Sequence, residues 1–140
     1  MTKLFLQSLL LSLLFFCAAP AMAQDSSIVL NEKVSAAGQM TAEKFALLLK
    51  QQGFKSVIVN RPDQEQGNSV TVGQLRSIAE KAQVSVIYQP VTGGKVSQTD
   101  VAEFAKYYNE LPKPILMICR SGARSSTLFH QAKSQGLIHE

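Results

Sequence analysis

Hydrophobic and polar positions alternate with two different periods between residues 42 and 134, and the two periods predict helices and strands in turn. Four stretches carry apolar residues three or four positions apart and predict amphipathic helices, over 42–52, 71–82, 97–108 and 124–134. Three short runs of β-branched and other apolar residues predict buried strands, at 56–60, 85–88 and 115–118. The chain is therefore expected to alternate strands with helices.

Residues at the ends of these stretches support the predicted boundaries. Thr41 is the expected N-cap of the first helix, and Gly53 is the residue expected to end it. Residues 71–74 and 97–100 have the sequence of capping boxes, which open helices. Residues 24–32 are polar, and we expect them to form a short tail rather than an element of the fold.

Alternating strands and helices predict an α/β fold with a mostly parallel central sheet of four or five strands, flanked by helices, in one domain over residues 24–140. In such sheets the ligand crevice lies beyond the carboxyl ends of the strands. Segments that follow predicted strands should therefore share one edge. Their charged residues are candidates to line a pocket, Arg61 foremost because it directly follows a buried strand: Arg61, Asp63, Glu65 and Lys95.

The first 23 residues predict a secretory signal peptide. Lys3 precedes a short apolar stretch that closes on Ala21-Met22-Ala23, and cleavage after Ala23 would leave Gln24 as the first mature residue. The apolar stretch is too short for a stable membrane span. We therefore expect export across the inner membrane and a periplasmic location. Cys17 would leave with the signal peptide, so that Cys119 would be the single thiol of the mature chain.

Charge and histidine content narrow the classes of partner. The formal net charge is only +4 at pH 7, and no run of like charges marks a nucleic-acid surface or, after signal cleavage, a membrane surface. His130 and His139 have no neighbours at metal-ligand spacing, so neither a metal nor another cofactor is expected. A small cationic excess is compatible with a small anionic substrate.

The segment 119–125 predicts a nucleophile site, because it joins a buried strand to a helix through a tight loop that begins with a thiol. Backbone N–H groups in such a loop can converge on one anion, and the helix N-terminus adds positive potential. These groups would lower the pKa of the Cys119 thiol and so activate it. Cys119 is the predicted nucleophile. The planar guanidinium of Arg124 is predicted to bind the anion, and the Ser125 hydroxyl is predicted to orient Arg124 or to assist release. The anion-binding backbone is that of Arg120, Ser121, Gly122 and Ala123.

Four segments together resemble a known bacterial family: 37–39, 53–63, Pro90-Val91 and 119–125. The chain resembles the phosphatase-like domain of beta-lactamase-hydrolase-like proteins, which is often joined to a persulfide dioxygenase domain. The resemblance covers nearly all of the predicted mature chain and implies a tyrosine- or dual-specificity-phosphatase-like fold. The cysteine loop taken alone also resembles the active loop of rhodaneses, and the two resemblances imply different reactions.

Two features of the loops favour sulfur transfer. Only four residues separate Cys119 from Arg124, which is the rhodanese spacing, whereas tyrosine phosphatases have five. The loop at 91–95 carries no carboxylate to protonate a leaving alcohol, and general acid catalysis is worth about 10²- to 10⁴-fold. We therefore expect an exported sulfurtransferase acting through a Cys119 persulfide on a sulfane-sulfur donor. Two alternatives stay open: a phosphomonoester hydrolase acting through a phosphocysteine, and a non-catalytic anion-binding or thiol redox-sensing module.

Overall fold

A computed structural model describes residues 27–140, so the predicted signal peptide and Cys17 lie outside the described residues. The sheet contains five strands: β1 (Ile28–Asn31), β2 (Val34–Ala37), β3 (Ser56–Val59), β4 (Ser85–Tyr88) and β5 (Ile115–Ile118). Four helices connect and cover them: α1 (Ala42–Gln52), α2 (Val72–Lys81), α3 (Gln98–Glu110) and α4 (Ala123–Ser134). None of these helices is long and apolar enough to span a bilayer.

The sheet order is β1-β2-β5-β3-β4, with β1 antiparallel to β2 and all other pairs parallel. This confirms the predicted α/β fold with a mostly parallel central sheet. The expectation of a polar tail over residues 24–32 is wrong for its second half, because residues 28–31 form the edge strand β1. Strand β2 was also missed. Its sequence, Val-Ser-Ala-Ala, is weakly strand-forming by itself, and it becomes a strand by pairing with β5.

Local hydrogen bonds explain why the helices begin and end where they do. Thr41 caps α1, and Gly53 ends it with φ at 65°. Thr71 and Ser97 each form a complete capping box with the residue three positions later. The predicted boundaries of these three helices are confirmed to within two residues. Helix α4 differs, because it has no side-chain cap and begins at Ala123, one residue earlier than expected.

Two hydrophobic layers cover the two faces of the sheet. Alternate side chains of β5 point in opposite directions: Leu116 and Ile118 pack beneath α1 and α2, whereas Ile115 and Met117 pack beneath α3 and α4. All four of these side chains are fully buried. Burying a side chain of this size stabilises the fold by about 1.5–3 kcal/mol. Strand β5 is therefore firmly held at the centre of the sheet, and Cys119 follows its last residue directly.

Candidate active site

A cavity of about 520 Å³ lies beyond the carboxyl ends of β4 and β5. Three segments line it: the loop after β4, the start of the cysteine loop, and one face of α4. The lining residues are Gly93, Gly94, Lys95, Val96, Cys119, Arg120, Ser121, Ala123, Arg124, Thr127 and Gln131. The cavity thus lies at the edge of the sheet where the sequence predicts a crevice, and it brings Lys95 together with the cysteine loop.

The loop from Cys119 to Gly122 wraps around the cysteine sulfur. Gly122 has φ at 93°, a left-handed conformation that side chains rarely adopt, and its N–H donates to Cys119 Sγ at 3.0 Å. The turn after β2 holds the outer side of the loop, because the Gln39 N–H donates to the Arg120 carbonyl at 3.1 Å. These contacts fix the sulfur at the start of α4, where uncapped N–H groups provide positive potential.

Cys119 is the single cysteine among residues 27–140; it is unpaired, and only 1% of its surface is exposed. Burial by itself raises the pKa of this thiol. The backbone and side chain of Ser125, and the N–H groups of Ser121 and Gly122, stabilise the thiolate and lower this pKa. These groups outweigh burial, and the thiol pKa lies below its ordinary value. The site therefore favours a thiolate.

Arg124 is held from two sides by protein groups. Its Nη1 donates to the Val91 carbonyl at 2.9 Å, and its Nη2 lies 3.0 Å and 3.2 Å from the two carboxylate oxygens of Glu65. The Arg124 side chain is only 9% exposed, and its Nε is buried with no hydrogen-bond partner among the described residues. An N–H group with no partner beside a thiolate loop is available for a bound anion.

The Ser125 hydroxyl is buried and donates to Asn60 Oδ1 at 2.9 Å. Asn60 follows β3, and the sequence pattern predicts it only as the end of that strand. A polar residue at the carboxyl end of a buried strand was the signal available for it. Glu65, which the sequence suggested as one of several charged loop residues, contacts Arg124 directly.

Three predicted pocket residues, Arg61, Asp63 and Glu65, lie outside the cavity lining, and Lys95 lies within it. Arg61 is 1% exposed, and its Nη2 donates to the Val70 carbonyl at 2.7 Å. Burial lowers its guanidinium pKa, against the opposing effects of Asp63, Glu65 and Tyr88. Asp63 accepts the Val72 N–H at the start of α2. Arg61 thus closes the 60–70 loop on itself, and Asp63 joins this loop to the start of α2.

The described part of the chain contains no group of three or more histidine, cysteine or acidic residues that could hold a metal ion. His130 stacks edge-on against the Phe129 ring.

Comparison with known proteins agrees with this geometry. Residues 27–136 match the family model of the beta-lactamase hydrolase-like protein, phosphatase-like domain. The chain belongs to this family. The resemblance inferred from the sequence is thereby confirmed: the chain is a phosphatase-like domain of this family.

Beta-lactamase hydrolase-like proteins of Agrobacterium fabrum and Xylella fastidiosa are relatives of this phosphatase-like domain. The first is 32% identical over 103 residues, and the second is 26% identical over 100 residues. These alignments cover 74% and 71% of this chain but only 24% and 23% of the relatives. The phosphatase-like domain therefore spans about a quarter of the length of these curated relatives.

Solved structures show the same fold. A candidate phosphatase from Neisseria meningitidis superposes with a TM-score of 0.68 at 30% identity, covering 79% of this chain and 78% of that one. The catalytic core of the PP-IP phosphatase Siw14 from S. cerevisiae gives a TM-score of 0.63 at 14% identity, covering 78% and 65% of the two chains. The second likeness concerns the fold alone.

Proposed function

We propose that this phosphatase-like domain is a thiol-dependent enzyme that transfers sulfane sulfur through a Cys119 persulfide. The observation that carries the proposal is the composition of the cavity. A thiol whose pKa is lowered by hydrogen bonds lies at its base, three cationic side chains line it (Lys95, Arg120 and Arg124), and no carboxylate among the described residues lines it. Such a cavity suits an anionic substrate that reacts with a thiolate and needs no proton from the protein.

The reaction balances without a general acid. The Cys119 thiolate attacks the outer sulfur of a donor such as thiosulfate, an S–S bond to Cys119 forms, and the donor S–S bond breaks to release sulfite as an anion. An acceptor thiolate then attacks the outer sulfur of the persulfide, and Cys119 leaves as a thiolate. In both steps the N–H groups of Ser121, Gly122 and Ser125 stabilise the sulfur anion.

The position of Glu65 favours sulfur transfer over hydrolysis of alkyl phosphates. Glu65 is the carboxylate held against Arg124, and both of its oxygens accept from that guanidinium. This carboxylate is held on the guanidinium and does not line the cavity, so it is not placed to protonate a leaving alcohol there. Alkyl phosphates need protonation of the leaving alcohol, whereas expulsion of sulfite or a thiolate does not.

Hydrolysis of phosphomonoesters is the second candidate. It is favoured by the fold, since the Neisseria meningitidis structure at 30% identity is that of a candidate phosphatase. In this reaction the Cys119 thiolate would attack phosphorus, the alcohol would leave, and water would hydrolyse the phosphocysteine. Without a general acid, aryl phosphates with good leaving groups would be the better substrates.

Intact mass spectrometry after separate incubation with thiosulfate, a polysulfide and an aryl phosphate tests the proposal, with acid quenching during turnover. We expect Cys119 to gain one sulfur atom from the first two, and Cys119→Ser to gain none. A phosphoryl adduct with released phenol, and no sulfur adduct, would establish the second candidate instead. No Cys119-dependent adduct from any donor would leave a non-catalytic anion-binding or redox-sensing module.

We further propose that the chain acts after export, as an enzyme of the periplasm, on the basis of the signal-peptide pattern over residues 1–23. Expression of the full chain in a Gram-negative host, followed by fractionation and N-terminal sequencing, tests this. A mature chain that begins at Gln24 in the periplasmic fraction is expected. An uncleaved chain in the cytoplasmic fraction would contradict it.

A further inference from the structure

Asn60 joins four elements at the carboxyl edge of the sheet. It is fully buried, and its N–H donates to the carbonyl of Ile118, the last residue of β5, at 2.7 Å. Its carbonyl accepts the Val91 N–H at 2.8 Å, and its Nδ2 donates to the Gln89 carbonyl at 3.2 Å. Its remaining side-chain atom, Oδ1, accepts the Ser125 hydroxyl of α4 at 2.9 Å. Every polar group of Asn60 is therefore hydrogen-bonded.

The Ser125 hydroxyl has two possible acceptors but only one proton. The second acceptor is the Cys119 sulfur, because the Ser125 side chain is among the groups that stabilise its thiolate. In the structure the proton is donated to Asn60 Oδ1, while Cys119 Sγ accepts the Gly122 N–H. Donation to the sulfur requires the hydroxyl to leave Asn60, whose buried oxygen then loses its hydrogen bond.

We propose that Asn60 is a positioning residue that competes with the Cys119 thiolate for the single hydroxyl proton of Ser125. A neutral sulfur is a weak acceptor, so the proton stays on the Asn60 side in the thiol and in any covalent intermediate. An anionic sulfur is a strong acceptor and draws the hydroxyl toward itself. Asn60 thereby sets how much Ser125 helps the thiolate to form as a nucleophile and to depart as a leaving group.

A substitution at Asn60 leaves the other charged groups near the sulfur unchanged. Arg120 and Arg124 flank the loop, Lys95 lines the cavity from the loop after β4, and Glu65 is paired with Arg124. None of them bonds to the Asn60 side chain or to the Ser125 hydroxyl among the described contacts. A substitution at Asn60 that alters the thiol through Ser125 can therefore be separated from an effect on these charges.

The test is a double-mutant cycle read by the pH dependence of Cys119 alkylation, measured on the peptide that carries Cys119. Asn60→Leu removes the competing acceptor, and we expect it to lower the thiol pKa by about one unit while Ser125 is present. In the Ser125→Ala background the same substitution is expected to cause no shift. Ser125→Ala alone should raise the thiol pKa. Denaturant midpoints of all four proteins separate loss of stability from this effect.

A second substitution covers the case in which Asn60→Leu does not fold. Asn60→Asp keeps the shape of the side chain and offers a stronger acceptor, so it should raise the thiol pKa, and by more when Ser125 is present than in the Ser125→Ala background. Equal shifts in the two backgrounds, for either substitution, would overturn the proposal. So would a higher thiol pKa in a folded Asn60→Leu variant. Alkylation needs no sulfur or phosphate donor, so failure here is distinct from failure of the proposed reaction.

Discussion

Glu65 holds Arg124 through both carboxylate oxygens, at 3.0 Å and 3.2 Å from Nη2, and the two side chains are only 18% and 9% exposed. The pair joins residues 59 positions apart in sequence. It fixes the guanidinium so that the unpartnered Nε remains available beside the cysteine loop. Binding an anion there requires no reorganisation of a long flexible side chain, which lowers the cost of binding.

Glu65→Gln should weaken this arrangement. Removing one partner leaves the Arg124 charge less compensated, and we expect the free energy of unfolding to fall by about 1–3 kcal/mol in urea titrations. Arg124 should also become less ordered, so that more sulfate is needed to protect Cys119 from alkylation. Glu140→Gln removes the half-exposed pair with Lys133 and serves as the matched control. Equal effects of the two substitutions would contradict the assigned role of Glu65.

Gly93→Ala should impair anion binding with little effect on stability. A Cβ at this position would lie 2.9 Å from Arg124 Nη2, and that atom cannot move aside without breaking its bonds to Glu65. We expect the sulfate concentration that halves Cys119 alkylation to rise at least fivefold, roughly 1 kcal/mol. Gly73→Ala in α2, where the new methyl group meets only Thr71 Oγ1 at 3.7 Å, is the control and should leave this concentration unchanged.

The lowered pKa of Cys119 links stability to pH. The folded chain releases the thiol proton at a lower pH than the unfolded chain does, because hydrogen bonds stabilise the thiolate. This contribution is therefore fully present above the unfolded-state pKa and is lost as the pH falls through the folded-state pKa. The difference in urea midpoint between the wild type and Cys119→Ser should shift in favour of the wild type as the pH rises. A difference in urea midpoint that stays constant as the pH rises would show that the thiol pKa is the same in the folded and the unfolded chain.

Arg61→Met tests the finding that Arg61 belongs to the core. Two of its nitrogens are buried without partners among the described residues, so removing the charge relieves a desolvation cost while the volume is kept. The free energy of unfolding should stay within about 1 kcal/mol of the wild type. Arg61→Ala, which leaves a cavity, should lose about 2–5 kcal/mol. Neither substitution should alter the sulfate concentration that protects Cys119 from alkylation. A large change in that concentration with Arg61→Met would show that Arg61 contributes to the anion site.

Lys95→Ala should weaken anion binding modestly, because Lys95 lines the cavity but is exposed to solvent. We expect a two- to fivefold rise, roughly 0.5–1 kcal/mol, in the sulfate concentration that protects Cys119. Lys55→Ala removes the same charge just before β3, at the opposite edge of the sheet, and controls for net charge. Similar effects of the two variants would mean that Lys95 acts only through the overall charge of the domain.

Most helices and inner strands could be predicted because the interactions that define them are local. Thr41, Thr71 and Ser97 bond to backbone groups three residues away, and strands β3 to β5 are continuous apolar runs. Strand β2 escaped prediction for the opposite reason, because its sequence carries little strand preference and it is specified by hydrogen bonds to β5, about 80 positions later in the chain. Strand β1 does carry strand-favouring residues, Ile28 and Val29, but they are few and lie among polar neighbours.

The residues of the site also divide into those that local sequence predicts and those that only the tertiary structure places. The sequence by itself determined the cysteine loop, because Cys119, Gly122, Arg124 and Ser125 act through a short strand-loop-helix segment whose geometry is local. The sequence offered Glu65 and Lys95 only as candidates among several charged loop residues. The tertiary structure decided that Glu65 binds the guanidinium, that Lys95 lines the cavity and that Asn60 accepts from the Ser125 hydroxyl. It also placed Arg61 in the core. The physical reason is that strand order brings the ends of β3, β4 and β5 together, whereas the direction of each loop beyond them depends on the hydrogen bonds it makes with its neighbours.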